Sequence, residues 1–383
     1  MNAIQHASRI KISSPTELVF ESADGRRFPI HPIWLRERCT DAKSMDQTTQ
    51  QRLSDPSDLE LDLALTAVAA SGPDGFRVRF SDGHEAEFRE SALLAEASLP
   101  PGDHDSPVPE LWNARLAHHP KFRWAADPTP RELAEWVEQF LRFGFIILTG
   151  VPSEPGQVLK VGAQFGFVRE TNFGALFDVR STPQASDLAY TSVHLDPHTD
   201  NPYRSPVPGI QLLHCLVNET TGGLSTLVDG FAVAETLRRE NPAAFKILTT
   251  TPVRFRYVDP TTELTASATP IELDASGAVH AIHVSPRLDF VPLLPFDELS
   301  AYYAARRALD HRLRGADFPI KFLLASGDLV MFDNRRLLHG RTGFNPAEGL
   351  RHLQGCYIDI DGLRSVHRVL RRSRNGAGAH RGS

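Results

Sequence analysis

The stretch His198-Thr199-Asp200-Asn201-Pro202-Tyr203 decides how the rest of the chain is interpreted. Side chains on an extended strand alternate between two faces, so a His-x-Asp pair places its imidazole and carboxylate on the same side. A distant histidine, His339, follows the buried strand and polar turn predicted over residues 328–338. Two imidazoles and one carboxylate form the facial triad that holds non-haem Fe(II) and leaves coordination positions open.

An arginine lies on the next predicted strand after His339. It is Arg351, in Gly349-Leu-Arg-His-Leu-Gln-Gly355. A guanidinium binds a carboxylate through two parallel N–H groups, which is the contact that the far end of an iron-bound 2-oxo acid needs. The pattern therefore predicts an Fe(II)- and 2-oxoglutarate-dependent oxygenase.

A second His-x-Asp pair, His194-Leu195-Asp196, precedes the first by four residues. All four side chains share one strand parity, so alternation alone does not choose between the pairs. Pro197 is expected to interrupt the strand between them. Because the chain has 16 histidines, chance matches are common, and the spacing leaves both pairs open.

Composition narrows the class of protein. With 383 residues, 41% of them hydrophobic and 23% charged, the chain is typical of a globular protein with one large and one small domain. A net charge of −6 argues against a nucleic-acid partner. The three cysteines, Cys39, Cys215 and Cys356, are too scattered for a disulfide framework, which favours the reducing cytoplasm. Neither a secretory signal nor a membrane-spanning run is expected.

The hydrophobic pattern divides the chain into four parts. Residues 8–96 alternate apolar and polar residues between Asp-Gly turns and predict a small β-rich domain. Residues 97–128 are rich in proline and predict a linker. Residues 129–370 predict the oxygenase domain, and the arginine-rich residues 371–383 predict a disordered tail.

The larger domain begins with a clear helix signal. Thr129-Pro130-Arg131-Glu132 is a capping box with proline at the first helical position, and Gly144 is expected to end the helix. Further helices are predicted over residues 155–165 and 296–313. Short strands are predicted over residues 145–148, 188–195, 209–217, 225–229, 251–257, 279–284, 328–332 and 351–359. Many short strands flanked by helices indicate an α+β fold with a jelly-roll core.

Four motifs resemble, in the same order, those of the γ-butyrobetaine/trimethyllysine hydroxylase family of taurine-dioxygenase-like oxygenases. They are His198–Tyr203, Pro208–Cys215, Gly222–Phe231 and Arg351–Tyr357, within a similarity that runs from about residue 28 to residue 360. The resemblance implies a double-stranded β-helix and a homodimer. It also implies Fe(II), 2-oxoglutarate and O2 as cofactor and co-substrates, with ascorbate as a candidate reductant.

The resemblance also assigns the iron site. It implies that His198, Asp200 and His339 bind the iron, so it is the resemblance that selects His198 over His194. The distal carboxylate of 2-oxoglutarate would lie on Arg351, with a hydroxyl group from one of two neighbouring residues. These two residues are Ser225 and Thr226.

A substrate pocket is implied as well. In relatives, aromatic residues at the positions of Phe173, Phe177, Tyr190 and Tyr357 form a cage for a trimethylammonium group. Electron-rich rings attract a quaternary cation by roughly 0.5–2 kcal/mol per good contact. Because Phe173 and Phe177 are four residues apart, a helical core position is the alternative interpretation for both. Asn201 and Tyr203 are expected to face the substrate.

The residues for the anionic end of the substrate depart from the family pattern. Ser285 and Arg287 replace an asparagine-rich segment, and Asp187 stands where butyrobetaine hydroxylases tend to have asparagine. Arg287 could bind a carboxylate or a phosphonate, or could pair with Asp289. The implied reaction is hydroxylation of γ-butyrobetaine to L-carnitine. The alternatives are a 2-trimethylaminoethylphosphonate-like or other betaine, and a metal-binding jelly roll without catalysis.

The N-terminal part departs from the family at a zinc site. Relatives carry cysteines at positions 41 and 44, whereas this chain has Cys39, Asp41, Ser44 and His84. One thiolate, one imidazole, an aspartate and a serine make a poor tetrahedral zinc site. No structural zinc is predicted.

Overall fold

The computed structural model describes residues 10–14, 17–21, 27–72, 74–97, 107–180 and 192–379. The chain forms two compact units, Met1–Gly102 and Asp103–Ser383. Two of the predicted substrate-binding positions, Asp187 and Tyr190, lie outside the described residues.

The smaller unit contains two three-stranded antiparallel sheets, in line with the alternating pattern of its sequence. The first sheet contains β1 (Ile10–Ser14), β2 (Glu17–Glu21) and β3 (Arg27–Ile30), and the second contains β4 (Leu65–Ala70), β5 (Gly75–Phe80) and β6 (Glu85–Arg89). Two helices accompany them, α1 (Pro32–Arg36) and α2 (Glu90–Ala97). The inward-facing side chains of the second sheet are buried, and Val78 and Phe80 among them, at most 1% exposed, pack with Leu35 of α1.

The larger unit contains sixteen strands and six helices within its described residues. The strands are β7 (Lys121–Arg123), β8 (Phe145–Thr149), β9 (Val168–Arg169), β10 (Phe177–Arg180), β11 (Leu195–His198), β12 (Ile210–Asn218), β13 (Ser225–Asp229), β14 (Val253–Val258), β15 (Glu263–Ala268), β16 (Ile271–Leu273), β17 (Val279–Ile282), β18 (Asp289–Phe290), β19 (Ile320–Phe322), β20 (Leu329–Asp333), β21 (Leu337–Arg341) and β22 (Arg351–Ile358). The helices are α3 (Pro130–Phe143), α4 (Gln157–Phe165), α5 (Gly230–Glu240), α6 (Pro242–Thr250), α7 (Phe296–Arg314) and α8 (Ile360–Ala379).

Two sheets of the larger unit face each other. The large sheet has the order β10-β22-β12-β20-β8-β7, with β9 also paired to β22, and the small sheet has the order β11-β21-β13-β19. Every second side chain of a strand points to the same face. Phe145, Phe332 and Leu353 of the large sheet therefore meet Leu227 and Leu337 of the small sheet in one apolar cluster between them.

Helices cover the outer faces of both sheets. On the large sheet, Trp136 of α3 and Phe165 of α4 pack against Leu212 of β12. On the small sheet, Leu237 of α5 and Tyr302 of α7 belong to a second cluster with side chains of β13 and β21. This mixture of helices and sheets agrees with the predicted α+β class. Among the described residues, no helix combines the length and the apolar composition needed to cross a membrane.

The first helix of this unit forms as its local sequence predicts. Thr129 Oγ1 accepts a hydrogen bond from the Glu132 N–H at 3.3 Å, and the Glu132 carboxylate accepts one from the Thr129 N–H at 2.8 Å. Gly144 ends the helix with φ of +80°, a left-handed conformation that favours glycine. The reversal at Gly144 leads directly into β8, the strand expected at residues 145–148.

The predicted linker and tail both contain more structure than expected. Within residues 97–128, Lys121–Arg123 pairs in parallel with β8, and Trp112 is 5% exposed with its indole N–H bonded to the Phe143 carbonyl. Within the tail, α8 continues to Ala379, and Arg374 pairs with Glu138 of α3 at 3.3 Å. Contacts with distant elements hold Trp112 and Lys121–Arg123 in place, and proline content alone does not reveal such contacts.

Candidate active site

Three side chains suited to bind one metal ion meet at the small sheet. In the register between β11 and β21, His198 lies directly opposite His339. Their ring centres are 4.4 Å apart. The Asp200 carboxylate lies 3.4 Å from His198 Nε2 and 3.8 Å from His339 Nε2. One ligand atom from each residue lies within 4.8 Å of the other two, so the residues expected to form a facial triad converge.

Asp200 reaches this cluster from a turn, and the expectation that it shares a strand with His198 is wrong. Strand β11 ends at His198. The Thr199 N–H then bonds to a loop carbonyl at 2.8 Å, and the Asp200 N–H bonds to Asn334 Oδ1 at 2.8 Å. Asn201 follows with φ of +55°, which turns the chain. The turn, rather than strand alternation, brings the carboxylate beside the imidazoles.

The protonation states of the cluster suit a divalent metal. His198 Nδ1 lies 2.9 Å from the Asp196 carbonyl, so we assign the proton to Nδ1 and the free lone pair to Nε2. Burial lowers the pKa of His339 to about 3, which keeps this imidazole neutral at neutral pH. Burial alone would raise the pKa of Asp200, but the His339 and His198 side chains and a hydrogen bond from Tyr357 outweigh it, and the pKa is lowered. Neutral imidazoles and an ionised carboxylate are the forms that bind metal.

The competing pair, His194 and Asp196, lies at the surface. His194 Nε2 is 3.1 Å from Asp196 Oδ1, and the same carboxylate is 3.1 Å from the guanidinium of Arg314. The two side chains are 57% and 41% exposed. The β11–β21 register shifts between Leu195 and His198, as expected for a strand interrupted by Pro197. His194 and Asp196 form an exposed, hydrogen-bonded pair outside the cavity described below.

Arg351 presents a buried positive charge with few partners. Its side chain is buried at the start of β22, and one N–H bonds to the Gly223 carbonyl at 3.3 Å. Its Nε has no hydrogen-bond partner among the described residues. Burial lowers the pKa of Arg351, although a guanidinium remains charged at neutral pH. The guanidinium lies 5.4 Å from the centre of the Phe344 ring, and within the part of the chain that the structure describes no carboxylate pairs with it. Because a buried charge without a counter-ion is costly, this site fits an anionic ligand.

Ser225 and Thr226, the two hydroxyl groups expected near Arg351, point to opposite sides of β13. On this strand Leu227 packs between the two sheets and Val228 packs against the helices. By strand alternation, Ser225 shares the side of Leu227. Ser225 lines the cavity together with Arg351, whereas the buried Thr226 does not. Ser225 is therefore the better placed of the two to contact a ligand of Arg351.

His198, Asp200 and His339, called the metal cluster below, line one cavity of the larger unit. Five Phe and Tyr side chains line the same cavity. The ring centres of Phe177 and Tyr357 are 5.2 Å apart with the planes inclined by 32°. Tyr257 stacks on Tyr203 at 5.1 Å and meets Phe173 edge to face at 5.6 Å. Phe173 lies in a turn and Phe177 begins β10, so the alternative of a helical core position is wrong. The rings offer π faces to a quaternary cation.

Several lining residues have no counterpart in the sequence-based predictions. Tyr257 is the most notable, because it contacts two rings of the aromatic group. Alternation of Val253, Phe255 and Tyr257 on β14 signals an inward-facing side chain but does not reveal that the strand ends at this cavity. The other unpredicted lining residues are Val179, Leu195, Gln211, Leu213, Leu288, Gly340, Arg341 and Leu353.

Three of the predicted polar contacts also line the cavity: Asn201, Ser285 and Arg287. Asn201 and Ser285 are buried, whereas Arg287 is exposed. Together with burial, the charge of Arg287 contributes to the low pKa of His339, so the guanidinium lies near the metal cluster. Asp289 was the alternative partner considered for Arg287. Its carboxylate forms an ion pair with Arg306 of α7 at 2.8 Å.

The smaller unit contains a second cluster of potential ligands, Cys39, Asp41 and His84, with Ser44 beside it. His84 Nε2 is 2.9 Å from Asp41 Oδ2 and 3.3 Å from Ser44 Oγ, and Arg36 donates to Ser44 Oγ at 3.0 Å. Burial raises the pKa of the Cys39 thiol to about 11, which keeps it protonated. A set of one thiol, one imidazole and one carboxylate, with the Arg36 guanidinium beside it, is a poor match to the tetrahedral ligands of structural zinc sites.

We expect substoichiometric zinc at the Cys39 cluster. The measurement is metal analysis of a His198→Ala variant, so that metal at the other cluster is not counted. A variant with Asp41→Cys and Ser44→Cys, also carrying His198→Ala, would have three thiols and one imidazole, and we expect it to bind about one zinc per chain. About one zinc per chain without the two added cysteines would contradict this prediction.

Comparisons with known proteins identify a family. The family model "Taurine catabolism dioxygenase TauD, TfdA family" matches residues 105–357, and "Gamma-butyrobetaine hydroxylase-like, N-terminal" matches residues 12–92. The gamma-butyrobetaine dioxygenase of Pseudomonas sp. (strain AK-1) is 39% identical over 91% of this chain and 92% of that protein. The mitochondrial trimethyllysine dioxygenase of Gallus gallus is 28% identical over 88% of this chain and 82% of that protein.

A solved structure is similar in fold to about two thirds of this chain. The crystal structure of AAD-2 in complex with Mn(II) and N-oxalylglycine has a TM-score of 0.50 and 15% identity, and covers 64% of this chain and 97% of that one. At this identity the likeness concerns the fold alone. The family itself is shown by the family match and by the similarity to the Pseudomonas protein. That similarity extends over nearly the whole of both chains. The chain therefore belongs to the TauD/TfdA family of Fe(II)- and 2-oxoglutarate-dependent dioxygenases, among the γ-butyrobetaine hydroxylase-like members.

Proposed function

We propose that this dioxygenase hydroxylates a methylene group of a small trimethylammonium zwitterion, with γ-butyrobetaine, which would become L-carnitine, as its first substrate. One observation carries the proposal: a single cavity is lined by the His/Asp/His cluster, by buried Arg351 and by five aromatic rings. The names of its relatives support it, since they include dioxygenases of γ-butyrobetaine and of trimethyllysine.

The residues of the cavity divide into a metal part and a co-substrate part. His198, Asp200 and His339 would hold Fe(II), and Arg351 with Ser225 would hold the distal carboxylate of 2-oxoglutarate. When bound, the iron activates O2 and couples its reduction to the oxidation of both organic substrates. Overall, the substrate, 2-oxoglutarate and O2 would be converted to the hydroxylated substrate, succinate and CO2.

The part of the protein in catalysis is to hold the target methylene beside the metal. Fixing both ends of a flexible zwitterion places one C–H bond in reach and excludes others. The aromatic group formed by Phe173, Tyr203 and Tyr257, together with the Phe177–Tyr357 pair, is the candidate site for the cation. The candidate partners of the anion are Asn201, Ser285 and Arg287.

The architecture supports an inference on the core of the larger unit. We infer that the two facing sheets form the double-stranded β-helix expected of this family, because the metal cluster joins β11 and β21 of the small sheet while Arg351 comes from β22 of the large sheet. A homodimer in the cytoplasm stays a prediction.

The substrate is tested by a panel of trimethylammonium compounds. The purified enzyme is supplied with Fe(II), 2-oxoglutarate, ascorbate and air, and succinate and the hydroxylated product are quantified by mass spectrometry. We expect γ-butyrobetaine to stimulate succinate release more than trimethyllysine does. A 2-trimethylaminoethylphosphonate is the second candidate, since the guanidinium of Arg287 in the cavity suits a phosphonate as well as a carboxylate. Absence of stimulation by all three compounds would exclude the proposed substrate class.

The cage is tested by Phe173→Leu, which keeps an apolar side chain but removes a ring face. A cation–π contact of roughly 0.5–2 kcal/mol corresponds to a KM for γ-butyrobetaine that is about 2- to 30-fold higher. The neutral isostere carries a tert-butyl group in place of the trimethylammonium group. Its inhibition constant should differ little between Phe173→Leu and the wild type. Phe290→Leu, at an exposed ring outside the cavity, is the matched control. An equal loss of affinity for the cation and for its neutral isostere would argue against a cation-binding role.

A further inference from the structure

The hydroxyl group of Tyr357 donates a hydrogen bond to Asp200 Oδ2 over 2.8 Å. Tyr357 lies on β22 of the large sheet, whereas Asp200 lies on the turn that follows β11 of the small sheet. The bond therefore crosses from one sheet to the turn that carries a proposed metal ligand. Hydrogen bonds to an ionised carboxylate are among the stronger ones, so this contact restrains the rotation of the carboxylate.

The other restraints on Asp200 act on its main chain. Its N–H donates to Asn334 Oδ1 at 2.8 Å, and its carbonyl accepts from Asn334 Nδ2 at 2.9 Å. These bonds hold the backbone of the turn but do not orient the side chain. Among the described residues, the hydrogen-bond and ion-pair neighbours of the carboxylate oxygens are His198 Nε2, His339 Nε2 and the Tyr357 hydroxyl. Since the two imidazole atoms are themselves proposed metal ligands, Tyr357 is the neighbour left to orient the carboxylate.

The ring of Tyr357 is held in place by its neighbours on the large sheet. Phe177 packs against it at 5.2 Å between ring centres. Phe177 pairs with Gly355 across β10 and β22, and a Cβ atom at Gly355 would lie 2.5 Å from atoms of the Phe177 ring. Glycine at this position therefore lets Phe177 lie close to the strand beside Tyr357. The tyrosine is 3% exposed, which leaves its hydroxyl little freedom to leave Asp200.

We propose that Tyr357 is a positioning residue for the metal: its hydroxyl orients the Asp200 carboxylate for binding, while its ring lines the substrate cavity. The proposal rests on the iron site of the proposed function. Groups that hydrogen-bond to metal ligands typically change metal affinity by about 10- to 100-fold when they are removed. One side chain would thus contribute separately to the metal through its oxygen and to the substrate through its ring.

The test is Tyr357→Phe, which removes the hydroxyl and keeps the ring. Equilibrium titration with Mn(II) alone measures metal affinity without any substrate or turnover. We expect the dissociation constant to rise by about 10- to 100-fold. If the hydroxyl served only to stabilise the fold, the melting temperature of the metal-free protein would fall while the Mn(II) affinity stayed that of the wild type, and this result would overturn the proposal.

Two variants separate this proposal from the iron site on which it rests. Tyr257→Phe is the matched control, because Tyr257 lines the same cavity but donates its hydroxyl to Asp259 at 2.9 Å, and its Mn(II) affinity should not change. His198→Ala should lose Mn(II) binding. If His198→Ala loses binding while Tyr357→Phe binds as the wild type does, the role of Tyr357 is refuted and the iron site stands. If His198→Ala also binds as the wild type does, both are refuted.

Discussion

Replacing His198 by alanine should reduce succinate release from 2-oxoglutarate to the background of the metal-free protein. The His198 ring centre lies 4.4 Å from that of His339, and its Nε2 lies 3.4 Å from the Asp200 carboxylate. Without this imidazole only two ligands remain for a metal that needs three protein ligands to be held with open positions on one side. The assay measures succinate with Fe(II), 2-oxoglutarate and γ-butyrobetaine in excess.

His194→Ala is the matched control for that experiment. It removes the same kind of side chain four residues away, from a pair with the same His-x-Asp spacing. Because His194 is 57% exposed and its contact with Asp196 lies at the surface, we expect near wild-type turnover. Turnover that survives in His198→Ala but disappears in His194→Ala would assign the metal to the other pair.

Local signals in the sequence predicted local structure well. The capping box at Thr129 and the glycine at position 144 bound α3 as expected, because the groups that satisfy each end of the helix lie within a few residues of it. The alternating run ending at Phe80 forms β5 for a similar reason. Such signals also indicated the class of fold, since many short strands between helices leave few packing solutions.

Features that depend on distant residues were not predictable in this way. Asp200 leaves the strand because its N–H bonds to Asn334, which lies 134 residues further along the chain. Trp112 is buried inside the predicted linker because its ring packs against Phe145 and its indole N–H bonds to the carbonyl of Phe143. In both cases the sequence near the residue is compatible with another conformation, and a partner from elsewhere in the fold decides between them.

The candidate site shows the same division. A spacing of two residues could not distinguish His198 from His194, and family resemblance was needed to choose the former. The choice between Ser225 and Thr226 depends on which face of β13 points between the sheets, and that face is known only once the register is known. The sequence did not predict Tyr257 as a cavity residue, because no motif marks it. Its contact with Phe173 joins segments that are far apart in the chain.

Replacing Arg351 by glutamine should raise the KM for 2-oxoglutarate while leaving the affinity for Mn(II) unchanged. The side chain is 6% exposed, and its Nε has no partner among the described residues. A carboxylate bound at this site would therefore interact strongly with the guanidinium, and removal of the guanidinium would weaken its binding strongly. Removing one partner of a buried, hydrogen-bonded charge pair costs about 2–5 kcal/mol. This range corresponds to a KM that is roughly 30-fold to several thousand-fold higher.

Two further substitutions give this prediction its specificity. Arg351→Lys keeps the charge but loses the paired N–H groups, so its KM should fall between those of the wild type and the glutamine variant. Arg254→Gln removes an exposed arginine from β14, outside the cavity, and should behave as the wild type. The KM for 2-oxoglutarate is measured with Fe(II) and γ-butyrobetaine in excess. A wild-type KM in Arg351→Gln would mean that the carboxylate is held elsewhere, whereas loss of Mn(II) affinity would mean that the substitution disturbs the metal cluster instead.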